Sequence, residues 1–289
     1  MMHEPSAVFP HSELAISGDD LDDRIVSLWL HGRPETTKRA YSGDIRALRA
    51  RVCKPISNIT LDDLQGFSDS LAGSVATRAR ILSSVKSLFS FAVRIGYLPW
   101  NVGGALRLPP RRRNLAERLL SEDEIAKIIS ATRGRRDNIM LRLMYATGAR
   151  VSEICAMRWR HVQASGDAGL IAIFGKGGHE RVVRLTASCW RELICLHQGA
   201  SPDDRVFRTG SGRMDVSTVW RIVRSATIAA GLTSRPSPHW FRHAAASHAL
   251  TRGAPLTLVR DTLGHSSIAV TSVYLHARPG EALGQFLDV

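Results

Sequence analysis

Residues 237–250 read Ser237-Pro238-His239-Trp240-Phe241-Arg242-His243-Ala244-Ala245-Ala246-Ser247-His248-Ala249-Leu250, and this stretch decides how the rest of the chain is read. Ser237 suits a helix N-cap and Pro238 the first helical turn, which places His239 and Arg242 at i and i+3 on one face. His243 falls at i+4 from His239, the spacing of a two-histidine zinc ligand pair. No Asp or Glu lies within the helix and Arg242 would repel a cation, so a metal is not expected here. Working outward, Arg150 in TGARVSE follows a small-residue turn and opens a helix, and Lys176 in GKGGHER sits at the tip of a β-hairpin. His265 in LGHSS stands at a helix junction, and Tyr274 in VTSVYLH follows nine residues later. Any one of these side chains alone would more often be structural.

Together, Arg150, Lys176, His239, Arg242, His265 and Tyr274 supply every role needed to attack a phosphodiester without a metal. Two guanidiniums clamp the non-bridging oxygens of one phosphate and stabilise the added negative charge of the transition state. A lysine on a hairpin tip can protonate the leaving oxygen. A tyrosine, with a free pKa of about 10, needs a base and a cationic pocket before it acts as a nucleophile, and His239 is the candidate base.

These motifs resemble the tyrosine recombinase (phage integrase) family, and most of all its compact Xer-like bacterial members, from about Arg24 to Tyr274. The resemblance implies a helical core-binding, SAM-like domain and a mixed α+β catalytic domain that together form a C-shaped clamp on duplex DNA. It makes Tyr274 the nucleophile of a 3′-phosphotyrosyl link, Arg150 and Arg242 the phosphate clamp, and Lys176 the general acid. His239 becomes the general base or a phosphate ligand, His265 a further phosphate contact, and Glu153 the acid supporting the first arginine. The implied partners are duplex DNA with an inverted-repeat core site, and three further recombinase subunits in a homo- or hetero-tetramer working through a Holliday junction. The implied location is the bacterial cytoplasm, on the nucleoid when bound. Two departures stand out: Asn101-Val102 where many relatives have Asn-Pro, and Gly178-His179 at the hairpin tip. Type IB topoisomerase-like relaxation and a non-catalytic DNA-binding module of the same fold remain alternatives.

Composition points the same way. The 289 residues carry 39 Lys and Arg against 26 Asp and Glu, a net charge of +13, and this calls for a polyanionic partner. The charge is segregated: residues 1–23 have six acidic side chains and no Lys or Arg, residues 24–113 have 16 basic against five acidic, and residues 114–289 have 23 against 15. Thirty-four of the 39 are Arg, whose fork suits phosphate. Candidate backbone contacts are Lys38, Arg39, Arg78, Arg80, Lys86 and the Arg111-Arg112-Arg113 run after Pro109-Pro110. The acidic N-terminus lacks the basic region of a secretory signal, so a cytosolic location is the default. No apolar run approaches the ~18 residues of a membrane helix. Cys53, Cys155, Cys189 and Cys195 show no CxxC pair and fit reduced, buried thiols. Without a Walker motif or a carboxylate cluster, neither ATP nor Mg²⁺ is expected.

The expected organisation is an acidic segment at 1–20, a helical domain at 21–106, a basic linker at 107–118 and a mixed domain at 119–289 that ends in a docking tail at 280–289. In the first domain, Thr36 is expected to cap a helix bearing Tyr41, Ile45 and Leu48, and Thr60 with Asp63 to open another through Leu64, Phe67 and Leu71. A third helix runs from Ile81 to a stop at Gly96, and a fourth covers Leu21–Leu30. In the second, Ser121 and Glu124 form a capping box, residues 169–186 form a β-hairpin, and helices are expected near Trp190–His197, Val219–Ala230, His239–Leu250 and Leu256–Leu263. The overall expectation is a mainly α chain with a small β-sheet.

Overall fold

A computed structural model describes residues 18–110, 119–175, 178–210 and 212–277. The chain divides into two compact units, 1–113 and 114–289. Lys176, Arg111, Arg112, Arg113 and the 280–289 tail lie outside the described residues.

The first unit holds helices α1 (Gly18–Leu30), α2 (Glu35–Val52), α3 (Leu61–Ser70) and α4 (Val75–Arg94). Each turns an apolar stripe inward: Ile25 and Trp29 from α1, Ile45 and Leu48 from α2, Leu64 and Phe67 from α3, and Leu82, Val85, Leu88, Phe89 and Ala92 from α4. α3 opens where expected, at Thr60 and Asp63, which form a capping box. α4 stops where expected, with Gly96 in the left-handed region just beyond it. Thr36 is not a cap. α2 starts two residues earlier, after Pro34, whose fixed φ of −57° already sets the chain for helix entry, and Thr36 lies within the first turn. Two buried acids pin the unit internally. Asp22 accepts from the Ile56 amide at 2.8 Å and the Tyr97 hydroxyl at 2.7 Å, and Asp44 accepts from Arg80 Nη2 and Ser84 Oγ, each at 2.8 Å. Asn101 accepts from the Gly104 amide at 3.0 Å and caps a 3₁₀ turn, so the valine that follows it breaks nothing.

The second unit is built around α6 (Arg135–Thr147), whose Ile139, Met140, Leu141, Leu143 and Met144 are all buried. α5 (Glu122–Ser130) opens with the expected Ser121–Glu124 box, and α7 (Val151–Ala156) follows α6 directly. The hairpin is part of an antiparallel three-stranded sheet, β1 (Val162–Ser165), β2 (Ala168–Phe174) and β3 (Glu180–Leu185), in that order. α8 (Ala187–Ile194) covers the sheet: a Cβ on Gly169 would sit 2.1 Å from Trp190 Cε3, so β2 requires glycine where the indole lies on it. A two-residue ladder, β4 (Arg208–Thr209) with β5 (Gly212–Arg213), leads into α9 (Val216–Ala229). α10 (Pro238–Thr251), α11 (Leu256–Leu263), the short α12 (Ile268–Thr271) and a 3₁₀ segment Ser272–Ala277 complete it. Helix α6, strand β1 and the β4–β5 ladder were not anticipated. Of the four cysteines only Cys155 is buried; Cys53 and Cys195 are exposed and Cys189 intermediate, so the expectation of buried thiols fails for the exposed pair.

Candidate active site

The site forms where two helices end. α6 and α11 both terminate in a left-handed glycine, Gly148 at φ 58° and Gly264 at φ 64°, a conformation other residues adopt only with strain. The chain leaving the first cap reaches Arg150 two residues on, and the chain leaving the second reaches His265 at once. Arg242, projecting from α10, bridges the two ends: Nη1 donates to the Gly148 carbonyl and Nη2 to the Leu263 carbonyl, both at 2.7 Å. Helix C-terminal carbonyls carry partial negative charge, so they suit a cation. Arg242 is only 2% exposed, and its pKa falls to about 10 through burial first and then the charge of Arg150.

Arg150 sits at the N-cap of α7. Glu153, three residues on, accepts from the Arg150 backbone amide and from its Nη1, each at 2.8 Å. Burial alone would raise the Glu153 carboxyl, but hydrogen bonds from Arg181 and then Arg150 outweigh it and hold the group below its ordinary value. Arg181 was not anticipated. It extends from β3 to Glu153, with Nη2 to Oε2 at 2.7 Å and Nη1 to Oε1 at 3.2 Å, and its Nε donates to the Thr262 carbonyl at 2.6 Å. The sequence signal was available: Arg181 lies five residues after Lys176 on the same hairpin, but its pattern position reads equally well as a solvated strand residue.

Arg181 thus joins β3, α7 and the end of α11. We expect Arg181→Ala to slow single-turnover cleavage by about 10²-fold, the scale of an ångström-level misplacement, with duplex affinity retained. Arg181→Lys, which keeps the charge but loses the fork, should recover only part of the rate. Cleavage by the alanine variant at the wild-type rate would show that Glu153 and Arg150 hold their places unaided.

Tyr274 is 4% exposed and packs with Ala246, Leu250, Val259 and Leu263. Its pKa is raised by burial, against the opposing pull of Arg242 and Arg150. The phenol hydroxyl lies 2.9 Å from Nδ1 of His243, one turn beyond His239. The ring of His239 meets that of His243 nearly edge-on, with centroids 4.3 Å apart. His239 keeps a solvent-accessible edge, yet the protein packed around it and then Arg242 and Arg150 hold it below its ordinary pKa. His265 lies parallel to the Tyr274 ring at 6.4 Å, and its Nδ1 pairs with Thr271 Oγ1 at 2.9 Å. Burial and the charges of Arg242, Arg150 and Arg181 push it down to about 4. Five of the six expected residues therefore gather at one place, with Glu153 beneath them. Lys176 lies outside the described residues, although Gly175 before it comes close to Glu153: a Cβ there would stand 3.5 Å from Oε1.

Residues 118–281 match the Phage integrase family, and residues 28–96 match the family's N-terminal SAM-like domain. The chain belongs to the phage integrase family. Its curated relatives include a tyrosine recombinase of Pseudothermotoga lettingae, 37% identical over 201 residues that cover 68% of this chain and 69% of that one. Tyrosine recombinase XerC of Mycobacterium tuberculosis is 32% identical over 272 residues, covering 85% of this chain and 89% of its own. Among solved structures, a lambda integrase dimer bound to a COC′ core site superposes with a TM-score of 0.74 at 21% identity, over 90% of this chain and 77% of that one. The lambda integrase tetramer bound to a Holliday junction gives 0.73 at 20%, over 87% and 75%. At these identities the structural likeness speaks to fold, an N-terminal helical domain followed by the integrase catalytic domain.

Within this phage integrase family chain, the basic candidates of the first unit differ in their commitments. Lys38 pairs with Glu35 at 2.8 Å, Arg80 forks the buried Asp44, and Lys86 donates to the Gly104 and Leu106 carbonyls at 2.8 and 2.6 Å. Arg39 and Arg78 have no ion-pair partner among the described residues. Among the described residues, no helix is long and apolar enough to cross a membrane, and no group of three or more His, Cys, Asp or Glu stands ready to hold a metal.

Proposed function

We propose that the protein is a site-specific DNA recombinase that cleaves and rejoins duplex DNA through a 3′-phosphotyrosyl intermediate. The observation that carries this reading is the bridging of two glycine-capped helix ends by Arg242, beside Arg150 and Tyr274. That arrangement sets two cations near one phenol, the charges that a phosphate under attack by the phenol oxygen calls for. In the step, the Tyr274 oxygen bonds to phosphorus, the P–O5′ bond breaks, and the leaving oxygen takes a proton from Lys176. Arg150 and Arg242 stabilise the added charge, with His265 as a further phosphate contact and Glu153 supporting Arg150. His239 acts as general base or phosphate ligand. The bond energy is kept in the phosphotyrosine, so rejoining needs no external energy source.

In this reading the linker arginines 111–113, Arg39 and Arg78 rest on backbone phosphates, with sequence-blind, salt-dependent affinity as the result. The chain works in the cytoplasm, on a core site of inverted repeats, as a tetramer that exchanges strands pairwise through a Holliday junction. The test is capture of a covalent adduct on nicked duplexes taken from the source genome, since the adduct position reports both the site and the polarity of cleavage. A protein that instead relaxes any supercoiled plasmid would be a topoisomerase.

The segment 280–289 contains Leu283, Phe286 and Leu287 at i, i+3 and i+4, a face too short to be a stable helix alone. It serves as a dock onto a neighbouring subunit. Deleting it should abolish synapsis in a native gel while leaving single-duplex binding intact, and normal synapsis by the truncated chain would refute the assignment.

A further inference from the structure

The group best placed to take the nucleophile's proton is a histidine outside the six-residue set. His243 Nδ1 lies 2.9 Å from the Tyr274 hydroxyl. The neighbouring imidazoles are turned to other tasks: His265 runs parallel to the phenol ring and gives its Nδ1 to Thr271, and His239 meets the edge of the His243 ring. Tyr274 is 4% exposed and packed against Leu250, Val259 and Leu263, so water has little access to its hydroxyl and a protein base must stand in.

We propose that His243 is the general base for the nucleophile, an assignment that rests on Tyr274 being the residue that attacks DNA. The phenolic proton passes to His243 Nδ1 as the Tyr274 oxygen forms the new P–O bond and the P–O5′ bond breaks; the 5′ oxygen leaves with a proton from the general acid. Rejoining runs in reverse: the 5′-hydroxyl attacks phosphorus as its proton returns to the general acid, the bond from phosphorus to the Tyr274 oxygen breaks, and the imidazolium returns its proton to the departing phenolate. The tautomer required carries its hydrogen on Nε2, leaving the Nδ1 lone pair toward the phenol. His239 is then released from the base role and serves the phosphate, beside Arg242 three residues on. The helical spacing assigns the work: i and i+3 hold the phosphate, and i+4 holds the attacking oxygen.

The experiment is single-turnover adduct formation on the nicked duplex that captures the wild-type protein. His243→Gln can still hydrogen-bond to the phenol but cannot take its proton, and His243→Ala can do neither. Both are expected to fall by about 10²-fold or more, the usual range for a general base. Fluorotyrosine incorporated at position 274, whose phenol is more acidic, should restore at least tenfold of the loss in the His243→Gln protein while changing the His239→Ala protein little. Adduct formation by His243→Gln at or above the wild-type rate would overturn the assignment, as would a deficit that fluorotyrosine leaves untouched, which marks a packing role. If His243→Ala does not fold, as judged by circular dichroism, the glutamine and fluorotyrosine arms still decide. Absence of any Tyr274 adduct with the wild-type protein would remove the recombinase reading itself, a result distinct from an adduct that forms unimpaired without His243.

Discussion

Tyr274→Phe is expected to abolish the covalent protein–DNA adduct and leave duplex binding within about twofold, because it removes one oxygen and little else. The phenyl ring keeps its place among Ala246, Leu250, Val259 and Leu263, and the parallel contact with His265 survives. Among the described residues, the hydrogen bond lost is the one to His243, with a net cost of about 1 kcal/mol. Stability and fold should therefore be nearly unchanged, so any loss of activity reports on chemistry. The measurement is denaturing gel electrophoresis of suicide-substrate reactions beside a binding titration. A shifted adduct band with the phenylalanine protein would move the nucleophile to another residue.

The second large effect belongs to the two arginines. Removing a guanidinium that stabilises charge on a transferring phosphoryl group costs about 10³- to 10⁵-fold in rate, and both Arg150→Ala and Arg242→Gln should fall in that range. Affinity should respond differently. Each phosphate contact contributes slightly less than one to the slope of log K against log salt, so either variant should shift the slope by at most about one. Arg39→Ala and Arg78→Ala should shift it by a similar amount while cleavage by the bound protein is unaffected. The two site arginines also differ from each other. Arg150 has a side chain 37% exposed, and its loss leaves Glu153 still paired with Arg181. Arg242 is buried, and its loss strips a donor from two carbonyls, so Arg242→Gln should also lower the melting temperature where Arg150→Ala does not. Wild-type cleavage by either variant would show that the catalytic and the sequence-blind charges had been divided wrongly.

The helices legible in the sequence were those with one wet face. Leu256–Leu263 was bounded to the residue, the Ser121–Glu124 capping box formed as its spacing implied, and a helix opened at Thr60 and Asp63 as expected. Helix α6 escaped because its apolar residues crowd into one run, Ile139 to Met144, broken only by Arg142 and preceded by a polar first turn, so the buried side shows no clean helical period in the sequence. Strand β1 and the β4–β5 ladder are short and mostly polar, so their pairing is decided by tertiary contact. In the site, residue types at motif spacing could be read one by one, but partners could not. Nothing in the sequence distinguishes His243 from His239 as the neighbour of Tyr274, because both lie on α10 and the choice depends on where a separate segment lays the phenol. Arg181 was hidden likewise, since its partners are 28 residues upstream and 81 downstream.

The clasp on Arg242 and Arg181 has one more consequence. Three of the oxygens that orient these guanidiniums, on Gly148, Thr262 and Leu263, belong to the peptide backbone. Side-chain replacement cannot delete a peptide oxygen; it can only displace it. Thr262 is therefore free to drift in evolution so long as α11 keeps its last turn, whereas the two glycine caps that set those turns are not. The electrostatic frame of the site is inherited through chain conformation as much as through amino-acid identity, and a residue-by-residue census of the motif undercounts what holds it in place.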